Sequence, residues 1–231
     1  MTALLSAALA RAQSFLLEPV QPGPAAATAA LAQAAVQPRQ LEIVVMGARP
    51  RCGASTIARG LAAMLSVPGA RPAHLISLAA APSSREQAPG TLAGGTLWEI
   101  PTALREEGEV AEYGQTVARL AGSPSALVWD VPADHARRAE AAARAAHVTL
   151  LVVPGNGEPA LGELLAEMLS QRHGRVLVVA SRAEPERWRG KAAVSLPESR
   201  IGALLALRFR RPQGGFGFAL SELAALVEEL G

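Results

Sequence analysis

The sequence predicts a three-layer α/β fold, a mainly parallel sheet covered by helices on both faces. Short runs of β-branched and aliphatic residues alternate with helix-forming stretches along most of the chain, the pattern of strand–helix–strand units. Runs such as Leu41–Met46 and Val148–Val153 are apolar at nearly every position. A strand buried on both faces needs that pattern, whereas a half-exposed strand alternates. A turn rich in glycine and hydroxyl residues also follows the first run directly and opens a helix.

In chain order, residues 2–17 read as a short helix with Leu4, Leu5, Ala8, Leu9, Phe15 and Leu16 on one apolar face. Glu18-Pro19 stops it. This helix either docks on its own domain or meets a partner or membrane surface. With Arg11 as its sole cation, attraction to anionic lipid is weak. Residues 19–40 are rich in Pro, Ala and Gln and read as a linker. Residues 1–40 are therefore an N-terminal helix and linker, and residues 41–231 one domain.

Within the domain, Leu41–Met46 is the first strand, 55–66 a helix and 73–78 a second strand. Residues 79–95 read as loop. A short strand is expected near 96–100 and a helix over 110–120. Ala126–Trp129 is a strong strand ending at Asp130, followed by a helix over 136–146. Val148–Val153 is the next strand, with a helix over 159–171. Val176–Ala180 and 192–196 are further strands, and helices at 199–207 and 218–230 close the chain.

Composition narrows the function classes. With 231 residues, 50% of them hydrophobic and 18% charged, the chain is long and apolar enough for one sizeable core. A net charge of +2 is too weak to argue nucleic-acid binding alone. Cys52 is the only cysteine, so no internal disulfide forms, and the cytoplasm is the default compartment. No apolar run reaches the roughly 18–20 residues of a membrane span. The N-terminus lacks a cation ahead of its apolar stretch, so it does not read as a secretory signal. His74, His135, His147 and His173 are dispersed and show no metal-ligand spacing.

The candidate site is Gly47-Ala48-Arg49-Pro50-Arg51-Cys52-Gly53-Ala54-Ser55-Thr56. A loop leaving a buried strand and opening a helix offers free N–H groups and a positive dipole end to an anion. Glycine lets backbone approach phosphates, and a hydroxyl in the first helical turn can hold Mg²⁺. On these residues the chain resembles the MinD/ParA-type deviant P-loop ATPases, whose loop runs lysine-glycine-glycine-x-glycine-lysine-threonine-threonine. Arg49 takes the place of the first, signature lysine, Pro50 and Arg51 replace the glycine pair, Gly53 matches the last glycine, and Ser55-Thr56 match the hydroxyls. Ala54 falls where the phosphate-gripping lysine stands. Ala54 supplies no charge to the β- and γ-phosphates, where positioned charge supplies most of the catalysis. Pro50 removes one N–H from the cradle, and Arg49 and Arg51 offset part of both losses. Three readings stay open: a turn that binds nothing, nucleotide binding without efficient turnover, and a working ATPase.

Other landmarks follow in the family's order. Asp130-Val131-Pro132 resembles the aspartate-x-proline segment that bonds the Mg²⁺ shell; a cap for the next turn is the alternative. Ser181-Arg182 resembles the asparagine-arginine that receives adenine, with serine weakening the base contact. Leu196-Pro197-Glu198-Ser199-Arg200 resembles the leucine/isoleucine-proline segment near the C-terminal end. The acid expected soon after the second strand is missing, since no carboxylate occurs between that strand and Glu86. The resemblance covers about residues 41–230 and implies a P-loop NTPase-like fold with ATP or ADP and Mg²⁺ as ligands. Ser55 and Asp130 would hold the metal. Its closest look is to the CpaE/TadZ-like branch, including septum-site-determining-like proteins.

That branch implies a degenerate, non-hydrolysing spatial or assembly factor for pilus, secretion or division machinery. It would act through protein partners, form a homodimer through the loop face, and be cytoplasmic with recruitment to membrane or pole by those partners. The rival readings are an active ATP-dependent dimerisation switch and a DNA-associated partition protein using Arg208, Arg210 and Arg211. That basic cluster, with Phe209 inside it, reads otherwise as a solvated turn before the last helix. Cys52, beside two arginines, is either a reactive thiol or a small buried loop residue, and Trp98 and Trp188 are interface anchors or core.

Overall fold

The computed structural model describes residues 40–67, 71–78, 90–92, 97–102, 112, 125–131, 133, 142–143 and 146–231. The expected N-terminal helix, most of the linker, the loop carrying Glu86 and most of the helices expected at 110–120 and 136–146 lie outside the described residues.

The domain is built on a sheet of eight strands: β1 (Leu41–Gly47), β2 (Ala73–Leu78), β3 (Gly90–Leu92), β4 (Leu97–Thr102), β5 (Ala126–Val131), β6 (Val148–Pro154), β7 (Val176–Ser181) and β8 (Val194–Leu196). Their spatial order is β3-β4-β2-β5-β1-β6-β7-β8. All neighbours pair in parallel except β3 with β4. The expected mainly parallel α/β sheet is therefore present. The loop expected over 79–95 contains strand β3 at its end. Three residues with one glycine carry too little apolar pattern to read as a strand; pairing with β4 supplies what the sequence does not.

Five helices are described in full: α1 (Ala54–Leu65), α2 (Pro159–His173), α3 (Pro185–Trp188), α4 (Arg200–Leu207) and α5 (Gly214–Leu230). The last begins four residues earlier than expected. Gly214-Gly215 reads as a turn from propensity, but Phe216, Gly217, Ala219 and Leu220 bury against the core and draw the segment into the helix.

The central strands β1, β2, β5 and β6 bury residues of both faces, which explains their largely apolar runs. On one side Ile43, Val45, Leu75, Val128, Leu150, Val152 and Val179 pack with Ile57, Leu61 and Leu65 of α1, Ala206 of α4 and Leu220, Leu223 and Val227 of α5. On the other, Val44, Met46, Ile76, Trp129, Leu151, Val153 and Val178 pack with Leu165 and Leu169 of α2 and with Trp188. Trp188 is thus core, not an interface anchor: it is 1% exposed, and its indole N–H donates to the Gly155 carbonyl at 2.9 Å. The side chain of Trp98 lies outside the described residues.

The C-terminal end of α1 is held by two arginines. Arg71 Nε donates to the Leu65 carbonyl at 3.0 Å, and Arg211 donates to the Ala63 and Ser66 carbonyls at 3.3 and 2.6 Å. Cations there satisfy carbonyls left over at the helix end and oppose its negative dipole. Arg71 also pairs with Glu228 of α5.

Candidate functional site

The sheet places the site. Strand β1 lies between β5 and β6, so the connections leaving it and returning to it run to opposite sides. In open parallel sheets a crevice forms at that point, beyond the carboxyl ends of the strands. Here the ends of β1, β5 and β7 bring Gly47, Val131 and Ser181 to one cleft of about 550 Å³, bordered also by Pro197–Arg200 and Phe216; Asp130, one residue before Val131, lies buried behind Ser55 of the lining.

The loop from Gly47 to Ala54 has little freedom. A Cβ on Gly47 would stand 2.7 Å from Cys52 Sγ. Cys52 is buried beneath the loop, which is the small-residue reading of that cysteine. Arg51 and Gly53 both take positive φ, 61° and 99°. Gly53 is the N-cap of α1, and a Cβ there would lie 2.7 Å from Ser181 Oγ. Only glycine meets both conditions cheaply. The first turn of α1 carries no acidic residue of its own and lines the cleft, so the positive dipole end of the helix lies at the cleft.

The side chains divide between two tasks. Ser55 Oγ donates to Asp130 Oδ1 at 3.1 Å, and Asp130 is only 4% exposed. This joins the hydroxyl and the carboxylate the sequence selects for Mg²⁺. A hard cation takes oxygen donors of this kind, so the pair fits the metal. Thr56 lies in the same turn and lines the cleft, as does Ala54, which leaves its position without charge.

The arginines are turned outward. Arg49 donates to Asn156 Oδ1 at 3.3 Å, and Arg182, itself at φ 54°, donates to the Arg51 carbonyl at 2.9 Å. Arg182 thereby ties the end of β7 to the loop. The sequence marks Arg182 as a base contact; the structure adds a latch that no local pattern reveals. Arg200, at the start of α4, also lines the cleft. The sequence reading includes Arg200 in the segment 196–200 without naming it as a site residue, because nothing local in that segment shows that it folds back to the loop.

The basic cluster after α4 is distributed. Phe209 is buried, with the Arg59 guanidinium 5.5 Å above its ring, an ordinary cation–π distance. Arg211 is engaged at the end of α1, while Arg208 and Arg210 are exposed.

No family model and no curated protein matches the chain. Solved structures do. The cell division ATPase MinD of Pyrococcus furiosus aligns with a TM-score of 0.65 and 15% identity, over 84% of this chain and 100% of that one. The septum site-determining protein MinD of Pyrococcus horikoshii OT3, complexed with Mg-ADP, gives 0.59 and 14%, over 83% and 97%. A ParA family ATPase of Chlorobium tepidum TLS gives 0.58 and 12%, over 80% and 98%. The chain has the P-loop fold of the MinD and ParA proteins. Among the described residues no helix is long and apolar enough to cross a membrane.

Proposed function

We propose that this chain is a degenerate MinD/ParA-like protein that binds ATP or ADP with Mg²⁺ without hydrolysing ATP efficiently. In this reading it serves as a spatial or assembly factor for pilus, secretion or division machinery, through protein partners and a homodimer across the loop face. One observation supports it: the start of α1 opens onto the cleft beside the Ser55–Asp130 pair, while Ala54, in the lining where the resembled loops carry lysine, supplies no charge.

The geometry is compatible with these roles. The N–H groups at the start of α1 would take the phosphates. Arg49 and Arg51 would add charge at the rim, and Ser55 with Asp130 would hold Mg²⁺, which neutralises phosphate charge when bound. Ser181 and Arg182 would border the base. Without a cation at position 54, little holds the transferring phosphoryl group more tightly in the transition state than in the ground state, so binding and turnover separate.

Calorimetric titration with Mg²⁺-ATP and Mg²⁺-ADP tests the site, with Arg49→Ala as control and phosphate release measured alongside. Binding that weakens in the control, with negligible release, is the expected result. No binding at high micromolar nucleotide would leave the fold a scaffold. Rapid release coupled to ATP-dependent dimerisation would replace the proposal by an active switch. A DNA contact, the third reading, would fall to Arg208 and Arg210, because Arg211 already serves α1.

A further inference from the structure

Two helices on opposite sides of the sheet expose apolar stripes to solvent. On α2, Leu161, Leu164 and Met168 stand at helical spacing i, i+3, i+7 and are 53–57% exposed. On α4, Ile201, Leu204 and Leu207 stand at i, i+3, i+6 and are 44–74% exposed. Single exposed aliphatic residues are ordinary; three in register along one helix are a surface prepared for contact.

The stripes also differ in charge. Glu167 lies exposed beside the α2 stripe and has no ion pair among the described residues, whereas the neighbouring Glu163 pairs with Lys191. Arg200 and Arg208 bracket the α4 stripe, are exposed, and have no ion pair among the described residues. One stripe thus offers a free carboxylate and the other two free guanidinium groups. Each is about two helical turns long, so one can lie along the other.

We propose that the α2 stripe of one molecule docks on the α4 stripe of a second copy, Glu167 meeting Arg200 or Arg208. The two stripes are different surfaces on opposite faces of one molecule, so the contact is heterologous. A heterologous contact that does not close a ring leaves a free stripe at each end and grows into an open chain. Like stripes would instead set Glu167 against Glu167, or arginine against arginine, and are disfavoured. The contact needs no nucleotide, and although Arg200 also lines the cleft, Arg208 and the aliphatic residues Ile201, Leu204 and Leu207 do not, so association without nucleotide is read separately from the function proposed for the loop.

Three aliphatic side chains a side make a small interface, and association is expected only in the range of about 10 μM to 1 mM. Sedimentation velocity of the full chain without nucleotide is the test, over that range. The weight-average size should rise steadily with concentration, with no dimer plateau. Leu164→Glu and Leu204→Asp change exposed positions, so each should keep the native far-ultraviolet spectrum and melting temperature yet associate at least about tenfold more weakly alone. Each retains the stripe the other lacks, so an equimolar mixture should form a 1:1 pair and nothing longer. Glu167→Arg should weaken growth, and combining it with Arg200→Glu and Arg208→Glu should restore it. A wild-type protein monomeric throughout, a symmetric dimer that one substitution abolishes without rescue on mixing, or a mixture that does not pair would each overturn the proposal.

Discussion

Replacing Gly53 by alanine tests how tightly the phosphate loop is specified. The N-cap sits at φ 99°, ψ 9°, in the left-handed region. A Cβ there costs about 1–2 kcal/mol from backbone sterics. It would also stand 2.7 Å from Ser181 Oγ, whereas Ser181 Cβ is at an ordinary 3.7 Å. The close contact with a buried side chain adds about 1 kcal/mol. Gly53→Ala is therefore expected to destabilise the domain by about 2–3 kcal/mol. Removing the hydroxyl should return only the second part: Gly53→Ala with Ser181→Ala should recover about 1 kcal/mol beyond additivity. Urea denaturation of the four proteins measures this through the midpoint at constant slope. A cost for Gly53→Ala below about 0.5 kcal/mol would refute the left-handed assignment. A double variant no more stable than the sum of the singles would refute the contact with Ser181.

The other predictions concern the scaffold around the cleft. Burial raises the Glu42 carboxyl above its ordinary value of 4.5, partly opposed by the hydrogen bond it accepts from Trp129 Nε1 at 2.9 Å. The folded chain therefore holds that proton more tightly than the unfolded chain, and this contribution is full below pH 4.5 and lost as pH rises through the folded value. Glu42→Gln keeps an acceptor for Trp129, so its stability relative to wild type should climb with pH above 4.5 and be flat below, measured by melting temperature across the range. Thr149 buries a hydroxyl with no hydrogen-bond partner, so Thr149→Val should stabilise by about 1 kcal/mol in urea denaturation. Arg211→Ala should cost about 1 kcal/mol by freeing the carbonyls at the end of α1, and a smaller loss for Arg211→Lys would confirm that the charge does much of the capping.

Much of this fold was legible because buried parallel strands and amphipathic helices write their periods into the chain. Leu41–Gly47 and Val148–Pro154 are apolar at nearly every position, Glu42 and Thr149 apart, because helices cover both faces. What stayed hidden depends on contacts distant in sequence. Strand β3 exists through β4, the first turn of α5 through the core it enters, and Trp188 is internal because Gly155 offers it a carbonyl. The capping role of Arg211 could not be seen from a basic tetrad that looks like a surface patch, since its acceptors are 145 and 148 residues away.

The site divides in the same way. The residue types at the loop announced charge, a hydroxyl and a carboxylate, and the structure brings Ser55 and Asp130 together. The direction of the charge was not announced. Lysine at the mouth of α1 would put an ammonium inside the cleft. Here Arg49 reaches sideways to Asn156 and Arg182 to the Arg51 carbonyl, so guanidinium groups frame the entrance instead. Charge on a rim attracts phosphate in the ground state and the transition state alike, which favours binding without favouring reaction. Restoring an interior charge separates the two effects. Ala54→Lys should raise phosphate release more than nucleotide affinity if the remaining machinery is intact. Tighter binding with unchanged release would mean that the alanine is not what limits turnover, and that the acid absent after β2 matters more.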